Sequence, residues 1–231
     1  MVDRDDIVFR RHIRPAGWDY RRCFAYFVTI CVRNRECVFG DVVGAEMRLT
    51  RRGIVARDCW LDIPSHHAHV ELDAFVIMPN HVHGILLFVG DAPGMGPFLP
   101  VAATPASRRS LATASSAKGP AAGSLGAVIG SFKSAVTRTI NRLRPGAGSQ
   151  LWQPNYYDHI VRNDFARDRI REYVEANPQR WAQDVENPVG DGSDDVVTFV
   201  AELTKISPLR GERDAGVAAT PEDQTHGEHD G

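Results

Sequence analysis

Apolar and polar positions along the 231-residue chain fall into two periods, and the order in which they alternate sets the expected fold. Residues 25–32, Ala-Tyr-Phe-Val-Thr-Ile-Cys-Val, are rich in β-branched and aromatic side chains and predict a first strand. Thr50 can cap a helix that runs to about Ile63 and stops at Pro64, with Ile54, Val55, Cys59 and Leu61 at near-helical spacing. Residues 69–78 and 81–89 predict two further strands around the turn Met78-Pro79-Asn80. Both are apolar on both faces near their centres, as central strands covered on each side are. Leu125, Val128, Ile129, Phe132, Val136, Ile140 and Leu143 mark an amphipathic helix over 123–144. Residues 156–161 predict a short fourth strand, and Asn163 or Asp164 caps a last helix reaching about Ala176, before Pro178.

The order β-α-β-β-α-β-α predicts an α+β fold. Its first six elements are the ferredoxin-like arrangement, an antiparallel sheet with two helices on one face. The added C-terminal helix is left to cover the other face. Three stretches stand apart: residues 1–22, basic and irregular; 91–122, dominated by Ala, Pro, Ser, Gly and Thr and read as a flexible insertion; and 182–231, an acidic, polar tail expected to be disordered, where only Val196 to Leu203 can pack. The folded domain is therefore expected within 23–181, with the insertion inside it.

Charge divides along the same line. Residues 1–183 hold 24 Lys and Arg against 17 Asp and Glu, whereas 184–231 hold 3 against 12. A basic body suits a polyanionic partner, and an acidic tail that mimics phosphate would weaken that binding. Cys23, Cys31, Cys37 and Cys59 form no CxxC pair, no signal peptide is apparent, and no apolar run reaches the roughly 18 residues of a membrane span. Reduced thiols in a cytoplasm, and no membrane partner, are the expectation.

The candidate chemistry starts at His81-Val82-His83. On a strand, residues 81 and 83 point to one face, and two imidazoles side by side make half of a divalent-metal site. The spacing alone is weak, since His67-Ala68-His69 repeats it. Position strengthens it: two polar rings at the start of a very apolar strand cost desolvation unless a cation or polar partners satisfy them. Tyr173 and Asn177, four apart on the last helix, project from one face toward the same region. Asn177 stands before Pro178, which biases it out of the helical region and makes its amide oxygen a ligand at a helix end. The plain alternative is that Asn177-Pro178 ends the helix and Tyr173 packs by its ring.

The phrase Phe75-Val-Ile-Met-Pro-Asn-His-Val-His83-Gly-Ile-Leu resembles the signature of the single-tyrosine transposases of the HUH endonuclease superfamily, U being a bulky apolar residue. Tyr26-Phe-Val-Thr-Ile-Cys-Val-Arg-Asn-Arg35 resembles their first strand, and Gly130-Ser-Phe-Lys-Ser-Ala-Val136 their second helix. Leu151-Trp-Gln-Pro-Asn-Tyr-Tyr-Asp-His-Ile-Val-Arg-Asn163, followed by Tyr173-Val-Glu-Ala-Asn-Pro178, resembles their carboxyl-terminal block. Within that superfamily the blocks look nearest to the REP-associated tyrosine transposases. The resemblance covers 25–181, leaving out 91–122.

It implies that Tyr173 is a nucleophile that takes a 5′-phosphate of single-stranded DNA near a hairpin or palindromic repeat. It implies His81 and His83 as metal ligands with Asn177 as the third, where some relatives carry glutamine, and magnesium or manganese as the ion. Lys133, Arg138, Arg142 and Arg162 become candidate phosphate contacts and Trp152 a candidate base-stacking residue; a solvated surface accounts for the four charges equally well. Monomer and homodimer both fit. Two other readings compete: a non-catalytic single-stranded nucleic-acid-binding protein on the same fold, and a closed structural zinc site, which would need four converging ligands where the sequence offers three.

Overall fold

The computed structural model describes residues 24–90, 119–143 and 150–206. The basic segment 1–22, residues 91–118 of the expected insertion and residues 207–231 of the acidic tail lie outside them. In chain order the elements are β1 (Ala25–Cys31), β2 (Gly40–Val43), β3 (Glu46–Leu49), α1 (Arg51–Leu61), α2 (Ile63–His66), β4 (Val70–Ile77), β5 (His81–Phe88), α3 (Leu125–Leu143), β6 (Tyr157–Val161), α4 (Asp164–Ala176) and α5 (Val196–Ile206). Three-residue and four-residue 3-10 turns at Arg33–Arg35 and Asn177–Arg180 complete the list.

Four strands form the main sheet in the order β4-β5-β1-β6, every neighbour antiparallel. Counted along this sheet alone the strands run second, third, first, fourth, which is the split βαβ order of the ferredoxin-like fold. The predicted class is therefore the one observed. Both helix caps follow from the sequence: Thr50 Oγ1 accepts from the Gly53 N–H at 3.2 Å, and Asn163 Oδ1 from the Ala166 N–H at 2.8 Å.

Both faces of the sheet are covered. On one, Tyr26, Val28, Ile30, Val82, Leu86 and Phe88 pack under α1 and α3 through Trp60, Phe132 and Val136. On the other, Phe27, Ile85 and Tyr157 pack under α4 and α5 through Ile170, Tyr173, Val174, Val196 and Val200. Alternation along β5 therefore sends Val82, Gly84 and Leu86 to the first face and His81, His83 and Ile85 to the second.

Three expectations need correction. β4 is an edge strand, not a central one. It reads as apolar because α1 and α2 cover it on one face and α4 on the other. Residues 36–49, which carry no periodic signal, hold the β2–β3 hairpin, whose two-residue turn places Gly44 (φ 60°) and Ala45 (φ 66°) both at positive φ. Its strands are four residues long and half exposed, too short for an alternation signal. Finally, residues 182–206 belong to the packed body. Asp184, Glu186, Asn187 and Asp194 are buried, and α5 contributes Val196, Val200 and Leu203 to the second core. Acidic composition hid a segment in which Val196, Val200 and Leu203 face inward.

Gly84 allows β5 to receive α1. The Trp60 indole closes against its backbone, and a Cβ at this position would stand 2.3 Å from Trp60 Cζ2. Gly84→Ala should therefore destabilise the chain by about 1–3 kcal/mol through overpacking. Urea unfolding should show a lower midpoint at unchanged m-value.

Candidate metal and tyrosine site

His81 and His83 stand fully buried on β5, their ring centroids 4.4 Å apart. Each Nδ1 is engaged. His83 Nδ1 lies 2.8 Å from Thr29 Oγ1 on the neighbouring strand, in the register that pairs these two residues. His81 Nδ1 lies 3.0 Å from Asn80 Oδ1. The Asn80 amide fixes the proton there: its Nδ2 donates to the carbonyls of Arg35 (3.0 Å) and Glu186 (2.7 Å), so Oδ1 must accept and His81 Nδ1 must donate. The Nε2 lone pair of His81 is thereby left for the site, the second-shell arrangement that metal-ligating histidines use.

His81 Nε2 has no hydrogen-bond partner. Asp184 Oδ2, which is also without one, stands 3.6 Å away, outside hydrogen-bond range. Asn177 is fully buried, and neither its Oδ1 nor its Nδ2 has a partner. One ligand atom from each of His81, His83 and Asp184 lies within 4.8 Å of the others. Orphaned polar atoms at full burial are costly, and here they converge from a strand, a helix end and the segment after it. Two imidazole nitrogens and an amide oxygen form a donor set that a divalent cation fits.

Burial is the main cause that holds both imidazoles below the ordinary histidine value of 6.5; for His81 the Asp184 charge and the Asn177 amide oppose it, and for His83 the neighbouring His81 adds to it. Both rings are thus neutral and ligand-ready near pH 7.

Tyr173 comes to the same place. Its ring centroid lies 5.6 Å from that of His83 and 6.5 Å from that of Phe27. Phe199 of α5 stacks on it at 4.5 Å, and the Arg180 guanidinium sits 5.2 Å from its centroid. Only 3 % of the residue is exposed. Burial, then the charges of Asp194 and Asp184, push the phenol above its ordinary value of 10, against Arg180, which lowers it. The helix is held in place by Arg171, whose Nε and Nη2 each donate at 2.7 Å to the Asp73 carboxylate where β4 slips register. Burial would raise the Asp73 carboxyl, but the Arg171 bonds leave it below the usual range.

The sequence reading of Asn177 requires one change. Its backbone is helical (φ −58°, ψ −39°), because Pro178 opens a 3-10 turn that continues α4. The preference of a pre-proline residue for extended backbone is a bias that packing overrides here.

The expected DNA contacts divide. Lys133 Nζ donates to the carbonyls of Gln153 and Asn155, both at 2.8 Å, and burial lowers its ammonium to about 8. It clamps α3 to the loop before β6. Trp152 is a core residue, packed on Phe39 and Phe132, and its indole N–H donates to the Lys133 carbonyl at 3.1 Å. It presents no face for a base. Arg138, Arg142 and Arg162 are exposed, the first two on α3, which covers the sheet face away from the histidines. His67 and His69 stay apart from the site; His69 Nε2 bonds the Gly123 carbonyl at 3.0 Å.

Asp184 and Asn80 were missed. Asp184 lies among twelve acidic residues with no periodicity to single one out, and Asn80 reads simply as a turn residue before the strand.

The chain thus presents a buried His-x-His pair on an antiparallel split-βαβ sheet to a helix-borne tyrosine. No protein-family model matches the chain. A Haemophilus influenzae (strain Rd) protein, described as uncharacterized, is 36% identical over 175 residues, 76% of this chain and 91% of that one. The chain belongs to the same family as this Haemophilus protein. Among solved structures it is similar to a REP-associated tyrosine transposase bound to a REP hairpin, at 16% identity and TM-score 0.47 over 73% of this chain and 74% of that one. It is also similar to a candidate transposase of Deinococcus radiodurans R1, at 20% identity and TM-score 0.37 over 71% and 96%. Both overlaps are partial, and the functional reading rests on the site.

The histidine values fix a pH response of the metal-free protein. A folded-state value below that of the unfolded chain means that the unfolded state binds more protons once pH drops under about 6.5. Stability should hold near neutral pH and fall below that point. Urea unfolding at about pH 7.5 and about pH 5.5 checks it, and the difference should shrink in His81→Gln/His83→Gln.

Proposed function

We propose that the protein is a metal-assisted strand-transfer enzyme of the transposase type. It cleaves and rejoins single-stranded DNA near hairpin or palindromic repeats, through a 5′-phosphotyrosine formed on Tyr173. The observation that carries this reading is the contact between the Tyr173 ring and His83, with Asn177 one helical turn further along the same helix and its amide unpaired beside His81.

His81 and His83 would hold the cation with Asn177, His81 kept in the Nε2-ligating form by Asn80 and the His83 Nδ1 engaged by Thr29. When bound, magnesium or manganese would polarise the scissile phosphate and lower the cost of charge on the attacking and leaving oxygens. Tyr173 Oη attacks phosphorus, the bond from phosphorus to the 3′-oxygen breaks, and that oxygen leaves as a 3′-hydroxyl after gaining a proton. The phenol loses its proton in the same exchange. The ester bond to Tyr173 conserves the energy of the broken one, so a second 3′-hydroxyl can reverse the step on another strand. Arg180, over the tyrosine ring and paired to Asp194 at 2.9 Å, favours the phenolate that this step needs. Arg138, Arg142 and Arg162 are the remaining candidate phosphate contacts. None of the described helices is long and apolar enough to cross a membrane.

One observation favours the second reading, binding of single-stranded nucleic acid without chemistry: Tyr173 is buried beneath Phe199. Catalysis therefore requires Phe199 to leave the ring before DNA reaches the phenol.

Incubation with manganese and a labelled, hairpin-flanked oligonucleotide should give a covalent protein–DNA adduct on a denaturing gel. Tyr173→Phe should abolish the adduct, at least about a 10³-fold loss, while retaining DNA binding. An adduct that persists in Tyr173→Phe rules out the assignment; DNA binding with no adduct under any divalent metal establishes the binding reading.

A further inference from the structure

The buried acid that the sequence did not single out has no role in the reading above. Asp184 is 2% exposed, and its position is fixed on every side. Its Oδ1 accepts from the Glu186 N–H at 2.7 Å, and its own carbonyl accepts from the Asn187 N–H at 3.0 Å. The segment is held to Asp194 by two backbone bonds, Val185 N–H to the Asp194 carbonyl at 3.1 Å and Asp194 N–H to the Gln183 carbonyl at 2.8 Å. Asn80 and Arg35 pin its other side through the Glu186 and Val185 carbonyls. All of this leaves Oδ2 aimed at His81 Nε2 with no hydrogen bond.

Its neighbours are treated differently. Glu186 pairs with Arg35 at 3.2 Å and Asp194 with Arg180 at 2.9 Å, whereas among the described residues no Lys or Arg pairs with Asp184. A buried carboxylate oxygen that faces an imidazole nitrogen without a hydrogen bond is costly, and a cation between them would satisfy both.

We propose that Asp184 is a direct ligand of the divalent ion held by His81 and His83. This rests on the metal reading of the site and deepens it. The donor set is then two imidazoles and one carboxylate, with the Asn177 amide as a neutral fourth donor. Ligand bonds of about 2.1 Å allow two donors of one ion to stand up to about 4.2 Å apart. The three ligand atoms already lie within 4.8 Å of one another, and a bound ion would draw them closer. Chemically, the carboxylate halves the net charge of the buried ion, from the +2 that three neutral donors would leave. It lets the protein hold the ion before any DNA phosphate arrives. The consequence is a site loaded in the DNA-free protein, and a ligand supplied by the segment beyond the tyrosine helix.

The test uses manganese as the probe and the full chain without DNA. Affinity is read by calorimetry, and the bound ion by its electron paramagnetic resonance spectrum. Asp184→Asn keeps the acceptor for the Glu186 N–H and removes only the charge. It should weaken manganese binding by at least about 10-fold. The metal-free variant should unfold no earlier than the wild type, because an unpaired buried charge is gone; manganese should raise the wild-type Tm far more than the variant's. Asp184→Ala should weaken binding at least as much. Glu186→Gln and Asp194→Asn should stay close to wild type. Unchanged affinity in Asp184→Asn, with binding lost in His83→Ala, overturns the proposal and leaves the His-pair site standing. Equal weakening by Glu186→Gln or Asp194→Asn assigns the effect to summed charge and also overturns it. Binding that survives His81→Ala and His83→Ala removes the metal site altogether.

Discussion

Two imidazoles stand on a central strand of a sheet covered on both faces, and the surrounding chain is arranged around the cost of keeping them there. A buried ring nitrogen must be bonded or must ligate. One nitrogen of each ring is bonded, by Thr29 across the sheet and by Asn80 at the turn before the strand. Asn80 in turn holds the Arg35 and Glu186 carbonyls, so the turn that starts β5 also positions the segment carrying Asp184. The second nitrogen of His81 is left facing the Asp184 carboxylate, with the Asn177 amide close by. The local fold thus engages one nitrogen of each ring and gathers the unpartnered atoms of His81, Asp184 and Asn177 in one place.

The rest of the chain serves that arrangement. Gly84 lets Trp60 close over the opposite face of β5, which shields the strand from behind. The Arg171–Asp73 pair seats α4 against β4, and that fixes where Tyr173 and Asn177 point. Lys133 ties α3 to the loop that leads into β6, the strand that runs into α4. A cation read as a surface charge is in this way part of the scaffold behind the tyrosine.

What was legible in the sequence was whatever repeats with a period or is forced by burial. The strands, the three long helices and their caps follow from alternation, 3.6-residue spacing and Thr50 or Asn163 at the right places. The antiparallel order follows from the sequence of elements. That His81, His83, Tyr173 and Asn177 come together was legible because two rings on an apolar strand require a partner, and two residues four apart on a helix offer one. The β2–β3 hairpin was not found, since its Gly44-Ala45 turn lacks the Asn-Gly or Asp-Gly signal and its strands are short and half exposed. Asp184 was not found because its meaning depends on a path of hydrogen bonds between residues about a hundred positions apart. Trp152 and Lys133 were assigned to DNA because their burial depends on a loop that folds back onto α3, which no local pattern records.

The central claim is that His81 and His83 bind one divalent ion through Nε2, beside Tyr173. Pulsed electron paramagnetic resonance of manganese bound to protein labelled with 15N-histidine tests it most directly. The account predicts nitrogen couplings from two imidazoles on a single ion, both lost when His81 and His83 are replaced together. A bound manganese without imidazole coupling, or with coupling that survives that double replacement, would contradict it.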